Sequence, residues 1–226
     1  MPNVYQFKDF EGSSHRILIG LVRRFAQRRG TLLDLGASGG ELAGSLREAF
    51  DRRIGFEFDV DRIGALHHAL DSAVIADLER VSVLPSNVDA IVLADVLEHL
   101  RNPGLILTSV RKSLKPDGYL FVSVPNIANI TTRLGLLFGI FRYRDRGILD
   151  STHLRFYTSH TIRQEIERAG FDILLTRGSA IPVRLITGSL VPEAMLRASE
   201  WLLIRVTQLW KALLAYQIIV VARRKE

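Results

Sequence analysis

The chain has 226 residues, of which 47% are apolar, and it carries a formal charge of +6 at pH 7. This length and apolar content suit one α/β domain and exclude wholesale disorder. The absence of cysteine excludes disulfides and thiolate metal sites, and it permits a reducing compartment.

The sequence shows no obvious targeting or membrane-spanning segment. Residues 1–16 lack the apolar run of a secretory signal. The most apolar stretch, 201–222, is interrupted by Arg205, Gln208 and Lys211, which argues against a membrane span. We therefore expect a cytoplasmic protein. Its basic residues lie in small clusters typical of solvated surface, and no interleaving of aromatic and basic residues favours a nucleic-acid partner.

Strand-like apolar runs alternate with helical patterns along most of the chain, which predicts a parallel α/β sheet. In chain order we expect helix 17–29, strand Thr31–Leu35, helix 41–50, strand 53–58, helix 60–70, strand 73–76, strand 89–94, helix 104–114, strand 119–124, helix 159–169, strand 171–176, helix 193–214 and strand 217–222.

Two segments depart from this alternation. Residues 115–118, Lys-Pro-Asp-Gly, are typical of a turn between a helix and a strand. Residues 126–158 are too long and irregular for a simple crossover, so within a single domain, 1–226, we expect them to form an insert that covers a cleft.

The predicted helix 193–214 has a broad apolar stripe. Packing against the sheet is the simplest explanation of this stripe. A homodimer face and a peripheral contact with a membrane surface are the two alternatives.

Residues 31–41 join a buried strand to a glycine-rich turn and then to a helix. Glycines in such a turn permit positive φ angles, and the helix N-terminus offers free amide donors. In dinucleotide-binding folds this turn holds a pyrophosphate. Asp34, two residues before Gly36, would repel a pyrophosphate but would suit a ligand that carries a cationic amino group.

Two further acids follow the next two predicted strands. Glu57 lies at the end of the second strand, where a carboxylate can accept both hydrogen bonds of a ribose diol. Asp77 follows the third strand and could accept a hydrogen bond from an adenine amino group, while Leu78 packs on the ring. Because open α/β sheets bind ligands at the carboxyl ends of their strands, we expect the three acids to surround one ligand.

With this turn and these acids, the chain resembles the class I S-adenosylmethionine-dependent methyltransferases over nearly its whole length. The resemblance implies a Rossmann-like three-layer sandwich with a mostly parallel seven-stranded sheet. It also implies that the last strand is reversed and lies between the fifth and sixth strands.

The same resemblance implies that S-adenosylmethionine is the cofactor. The predicted cofactor site consists of Asp34, Leu35, Gly36, Ala37, Ser38, Gly40, Glu57, Phe58, Asp77, Leu78 and Ala94. By analogy with the family, Asp34, Gly36 and Gly40 hold the methionine part, Glu57 holds the ribose, and Asp77 with Leu78 holds the adenine. The turn of the family usually reads D-x-G-x-G-x-G, and here Ser38 stands in place of the middle glycine, where its hydroxyl could contact the cofactor carboxylate.

The fourth strand runs into Leu-Glu-His-Leu at 97–100, which resembles a signature of many small-molecule methyltransferases. His99 could be a general base that deprotonates a hydroxyl acceptor. Alternatively, Asp95, Glu98 and His99 could hold a divalent ion, as in ubiquinone-pathway O-methyltransferases. In a third interpretation, Glu98 and His99 cap and orient the loop. We predict catalytic roles for His99 and His153, and no metal site.

The insert contains P-N, G-I-L-D and T-H-L-R-F, which resemble a methyltransferase subgroup often found with polysaccharide and O-antigen glycosyltransferases. Asn126 and Arg155 are predicted to contact a hydroxylated or anionic acceptor. Alternatively, His153 and Arg155 pin the insert to Asp150 or Asp145.

We therefore predict a methyltransferase that acts on a small or carbohydrate-linked acceptor, on oxygen. Methyl transfer from a sulfonium is an in-line displacement, for which positioning alone can supply ~7–11 kcal/mol, so a base is needed only if the acceptor must lose a proton. One alternative is a non-catalytic cofactor-binding subunit of another enzyme. A second, an NAD-dependent oxidoreductase, is disfavoured by Asp34, by Asp77 and by the absence of G-x-G-x-x-G.

Overall fold

The computed structural model describes residues 10–26, 30–81, 83–181 and 193–225, and for 193–198 it describes the backbone alone. One sheet contains β1 (Thr31–Leu35), β2 (Arg52–Glu57), β3 (Ser72–Ile75), β4 (Val88–Ala94), β5 (Leu114–Pro125), β6 (Phe171–Gly178) and β7 (Gln217–Arg224). The order in space is β3-β2-β1-β4-β5-β7-β6. The first five strands are parallel, and β7 is antiparallel to both of its neighbours. The predicted sheet, with its reversed last strand, is confirmed.

Helices cover both faces of this sheet. The α-helices among the described residues are α1 (Ser14–Phe25), α2 (Glu41–Gly44), α3 (Ile63–Ala69), α4 (Pro103–Ser113), α5 (Ile130–Leu137), α6 (Ser159–Arg168), α7 (Glu193–Leu209) and α8 (Lys211–Leu214). One apolar cluster joins α4 and α6 to one face, and a second joins α1, α2 and α3 to the other. Since each strand sends alternate side chains to opposite faces, β4 is buried on both sides, as its unbroken apolar run predicts.

The first predicted helix begins earlier than expected. Ser13 caps α1 by accepting a hydrogen bond from the amide of Arg16 at 3.3 Å, and the helix ends at Phe25. The predicted positions 27–29 lie outside the described residues. The predicted helix 60–70 is divided into a 3-10 turn, Val60–Arg62, and α3.

The prediction of a helix over 41–50 is wrong, because α2 ends at Gly44 and irregular turns follow it. The hydroxyl of Ser45 donates to the carbonyl of Glu41 at 2.7 Å, a bond to the preceding turn that slightly destabilises a helix but does not by itself end one.

The predicted turn at 115–118 lies within β5. Val88 pairs with Leu114 but Ala90 pairs with Tyr119, so the β5 side of this pairing contains extra residues that bulge out of the ladder. The ammonium of Lys115 lies 2.6 Å from Oδ1 of Asp89, and this ion pair ties the bulge to β4.

The predicted helix 193–214 is interrupted at Trp210, whose φ of −128° and ψ of 58° are not helical, and α8 starts afresh after it. The strands β6 and β7 each extend two residues beyond the expected end. Among the described residues, no helix combines the length and the apolar content that a bilayer crossing needs.

Candidate active site

The carboxyl ends of β1, β2 and β3 lie side by side at one edge of the sheet. Leu35, the last residue of β1, is in register with Phe56 of β2, and Glu57 is in register with Ile75, the last residue of β3. Asp34 and Glu57 therefore occupy neighbouring strand ends, and Asp77 comes two residues beyond β3. The edge holds the three acids that the sequence places there.

Asp34 is the most perturbed of these acids. It is 2% exposed, and its Oδ2 is buried without a hydrogen-bond partner among the described residues. The pKa of Asp34 is raised to about 7, chiefly by burial; a hydrogen bond from the Ala43 amide opposes this rise, and the nearby charges of Glu57 and Glu41 add to it. A buried carboxylate oxygen of this kind fits a cationic donor group from a ligand.

The turn after β1 has three residues in the left-handed region. Gly36 and Gly40 have φ angles of 79° and 85°, and Ser38 has a φ of 53°. A Cβ on Gly36 would lie 2.6 Å from Cγ2 of Val96, so this position excludes a side chain. Ser38 tolerates the same region at a cost, which explains why the family prefers glycine there. Its hydroxyl lies 2.5 Å from Nη1 of Arg62, which donates to it.

Glu57 pins the turn to the end of β2. Its Oε2 accepts from the amide of Ser38 at 2.7 Å, and its Oε1 accepts from the amides of Phe58 and Asp59 at 2.9 and 3.0 Å. Since a carboxylate offers about four acceptor positions, these bonds leave about one for an outside donor. The sequence-based expectation that Glu57 receives both ribose hydroxyls therefore requires one of the backbone bonds to give way.

The adenine end of the predicted site is open. Asp77 accepts from the amide of Glu79 at 3.0 Å and forms an exposed ion pair with Arg80. The ring of Phe58 is 73% exposed beside Glu57, and Leu78 is half-buried against the main core. An apolar ring left exposed at this edge is available to cover a ligand base.

The other predicted cofactor residues face the core or the backbone of the turn. Leu35 is fully buried and Ala37 is 5% exposed, whereas Ala94 is half-buried at the end of β4. The amides of Gly36 and Ala37 both donate to the carbonyl of Phe56. Leu35 and Ala37 can therefore contribute to a ligand site through shape and backbone only.

Asp95 forms a buried polar group of its own. It has a φ of 56° and is 6% exposed, and its Oδ1 accepts from the Ser123 hydroxyl at 2.7 Å. The amide nitrogen of Gln217 lies 2.5 Å from both carboxylate oxygens. Asp95 thus joins β4, β5 and β7, and it does not share a helical face with His99. Sequence reasoning missed Gln217, because nothing in its local pattern indicates a partner in β4.

Glu98, His99 and His153 converge at the end of β4. Each offers one ligand atom, and these atoms lie within 4.8 Å of one another. The two imidazole rings meet edge to face with their centroids 4.9 Å apart. His153 comes from the insert, whose amides of Leu154 and Arg155 donate to the carbonyl of Glu98.

The contacts of the two histidines differ. Nδ1 of His153 lies 3.2 Å from the carbonyl of Ile148, and Nδ1 of His99 lies 3.3 Å from both the carbonyl and the hydroxyl oxygen of Thr152. A carbonyl can only accept, so the bond to Ile148 places hydrogen on Nδ1 of His153 and leaves its Nε2 for a base or metal-ligand role. Burial and the neighbouring His99 lower the pKa of His153, which favours the neutral ring.

This trio can serve either as a base or as a divalent-metal site, since two imidazoles and a carboxylate suit several transition metals. Asp95 is turned away toward Gln217, so the set Asp95, Glu98 and His99 is not the one brought together.

The insert is fastened at its start by two buried asparagines. Asn126 and Asn129 are both fully buried, and their amide nitrogens each lie 2.9 Å from the carbonyl of Ala215. Asn126 also accepts from the amide of Ala128, and Asn129 caps α5 through the amide of Thr131. The backbone uses both ends of the Asn126 amide, so this side chain anchors the insert, and its predicted contact with the acceptor stays a prediction. Asn129 was missed, although an asparagine before a helical segment is a recognised cap signal.

Replacing Asn126 with alanine should lower the free energy of unfolding by about 2 kcal/mol, because it leaves buried backbone groups without partners. Urea unfolding at constant pH measures the change. Thr108→Ala, on the exposed face of α4, removes one hydroxyl bond to Gly104 and should change stability by about 0.5 kcal/mol or less. Equal losses in the two variants would contradict the anchoring role.

Arg155 is exposed, and its guanidinium donates to the carbonyl of Arg101 through Nε, at 3.1 Å, and through Nη2. It pins the insert to the segment after β4, and the partner is this carbonyl instead of the predicted Asp150 or Asp145. Asp150 itself accepts from the amide and hydroxyl of Thr152, at 2.8 and 2.7 Å, and so orders the loop that carries His153.

Comparison with known proteins identifies the family to which the chain belongs. Residues 11–176 match the family model described as "Methyltransferase domain". A ubiquinone biosynthesis O-methyltransferase of Neisseria meningitidis is 29% identical over 160 residues, which cover 65% of this chain and 66% of the relative. The corresponding protein of Paraburkholderia xenovorans is 29% identical over 103 residues, covering 42% of this chain and 44% of the relative. The matched part thus spans about half to two thirds of these relatives.

Solved structures agree on the fold. A SAM-dependent methyltransferase from Archaeoglobus fulgidus superposes with a TM-score of 0.62 at 17% identity, and the match covers 94% of this chain and 95% of that one.

Proposed function

Because the chain belongs to the methyltransferase domain family, we propose that it transfers the methyl group of S-adenosylmethionine to an oxygen atom of a small acceptor. Family and structural neighbours both indicate S-adenosylmethionine as the cofactor. The oxygen acceptor is supported by the printed activity of the relatives, which are O-methyltransferases.

The observation that carries this proposal is the buried Oδ2 of Asp34, which has no hydrogen-bond partner among the described residues. Burying such an atom costs free energy unless a ligand donates a hydrogen bond to it. A protonated amino group is the partner that would stabilise a carboxylate most strongly at this depth. The methionine part of S-adenosylmethionine carries one.

The residues present at the edge fit this cofactor. Asp34 and the backbone of the Gly36 turn would hold the methionine part, Glu57 would receive a ribose hydroxyl, and Phe58 with Asp77 would bound the base. When bound, the cofactor supplies a methyl group on a sulfonium, which is a good leaving group. The protein then has to hold the acceptor oxygen in line with the methyl carbon and keep water away.

His99 and His153 are the groups that can take a proton from the acceptor. The bond from Nδ1 of His153 to Ile148 leaves Nε2 of that ring to accept a proton, and burial lowers the pKa of His153, which favours its neutral form. The insert contributes His153 and contacts the end of β4 through Glu98. We propose on this basis that residues 126–158 cover the cleft and complete the acceptor site.

The acceptor class is the finer part of the proposal. The relatives are named for O-methylation in ubiquinone biosynthesis, for which catechols serve as simple test acceptors, and the motifs G-I-L-D and T-H-L-R-F favour a sugar hydroxyl. Both present a hydroxyl to the same histidine pair, so one assay with catechols and with sugar nucleotides in parallel separates them.

The test has two parts. Calorimetry should show micromolar binding of S-adenosylmethionine and of S-adenosylhomocysteine, and the absence of binding by both would overturn the proposal. Methyl transfer from radiolabelled donor to one of the two acceptor classes should follow. Cofactor binding without transfer, together with copurification of an enzyme that depends on this chain, would instead indicate an accessory subunit.

A further inference from the structure

The middle of the insert is a segment that is exposed without interruption. Every residue from 136 to 146, here called the tip segment, is exposed. Its apolar side chains include Leu137 and Phe138, each 75% exposed, and Ile140, which is 52% exposed. A soluble monomer seldom presents so many large apolar groups together, so this surface indicates a partner.

The same segment is strongly basic. Arg142, Arg144 and Arg146 are exposed beside a single acid, Asp145. None of the three guanidinium groups forms an ion pair with a described carboxylate. The charge is therefore available to an anionic partner.

The tip segment is also ordered before any partner binds. The rings of Phe141 and Tyr143 meet at right angles with centroids 5.4 Å apart, and Phe141 lies 6.0 Å from Phe156. Arg144 bridges to Asp150 through the backbone. Ordering the apolar groups in advance removes part of the entropic cost of docking.

A second exposed patch of similar chemistry lies on α7 and the residue after it. Trp201 and Trp210 are 59% and 62% exposed, and the guanidinium of Arg205 lies 5.2 Å from the centre of the Trp201 ring. Tryptophan and arginine together are typical of a protein surface at a lipid headgroup layer. The start of the insert is fastened to the backbone just after α8 by Asn126 and Asn129.

We propose that the tip segment docks the protein on an anionic lipid bilayer. Leucine and phenylalanine enter the boundary between headgroups and acyl chains, and the arginines neutralise lipid phosphates. An apolar protein groove would accommodate Leu137 and Phe138, but it would leave three adjacent arginines without counter-charge. This inference goes beyond the proposed function and does not depend on it, because docking requires no methyl donor.

Vesicle sedimentation without cofactor tests the proposal. The protein should bind vesicles of phosphatidylcholine mixed with phosphatidylglycerol. It should bind vesicles of phosphatidylcholine alone much more weakly. Replacing Leu137 and Phe138 together by serine should lower the partition coefficient at least about tenfold. Replacing Arg142 and Arg146 together by glutamine should lower it about tenfold or more, and added salt should weaken binding by the parent.

The matched control is the pair Val83→Ser and Leu105→Ser, which removes apolar groups that are 82% and 61% exposed outside the tip segment. It should sediment like the parent. Binding by the serine variant of the tip at the parent's level, or no binding by the parent, overturns the proposal. A third outcome also overturns the proposal: neither protein binds vesicles, the parent is dimeric and the tip variant is monomeric. This outcome assigns the surface to a second copy of the chain.

Discussion

Replacing Asp34 with asparagine should lower the affinity for S-adenosylmethionine at least about a hundredfold, because the substitution removes a buried charge opposite a cationic amino group. Calorimetry at about pH 8 measures the loss. Asp51→Asn, which removes an exposed acid next to β2, should bind like the parent. Unchanged affinity in the Asp34 variant would remove the main support for the proposed cofactor site.

The pH dependence of the same variant provides an independent check. Burial raises the pKa of Asp34 to about 7, above its value in the unfolded chain, so the folded state holds the proton more tightly. The contribution of Asp34 to stability is therefore greatest in acid and is lost as the pH rises through 7.

Two results follow from that shift. Cofactor affinity of the parent should fall as the pH drops below about 7, since the carboxyl is then neutral. Asp34→Asn should gain stability relative to the parent between about pH 5 and about pH 8, by of the order of 3 kcal/mol in urea unfolding. A stability difference that is the same at both pH values would show that the carboxyl titrates normally.

Replacing His153 with alanine should lower kcat about 10²- to 10⁴-fold and leave cofactor affinity unchanged, if this residue is the base for the acceptor. The pKa of His153 lies below the ordinary histidine value because of burial and the neighbouring His99. In the dependence of kcat on pH, the acid limb of the parent should accordingly have its midpoint below the ordinary histidine pKa. This limb should be absent in the variant. His160→Ala, a change in α6 outside the histidine pair, is the control.

The metal alternative predicts a different result. If Glu98, His99 and His153 hold a divalent ion, dialysis against a chelator should remove activity, and added metal should restore it. If the parent keeps full activity in chelator and the His153 variant loses kcat, His153 acts in proton transfer. Unchanged kcat in the variant would leave His153 with a positioning role only.

The sheet was predictable because apolar residues dominate its central strands, and the run 90–94 in β4 is apolar on both faces. The acids at the cofactor edge were predictable for a related reason. Parallel strands share one edge, so Asp34, Glu57 and Asp77 had to lie near one another once their strands were placed. The shortness of α2 was not predictable from hydrophobic period, because the apolar residues of 41–50 keep a helical spacing although the helix ends at Gly44.

The acceptor side depends on contacts between distant parts of the chain. His99 and His153 meet because the insert folds back on the carbonyl of Glu98, and no local pattern specifies that return. The same holds for Asp95 and Gln217, whose short hydrogen bonds join β4 to the start of β7. In both cases the sequence indicated which residues could be functional, but it did not indicate which distant residues they contact.

The antiparallel strand β7 also constrains when the fold can form during synthesis. It is the neighbour of both β5 and β6, and the stretch 218–222 is fully buried between them. Until these residues have left the ribosome, β6 has no sheet to join and the edge of β5 stays open. A nascent chain stalled before β7 should therefore depend on chaperones, even though the residues of the proposed cofactor site have already emerged.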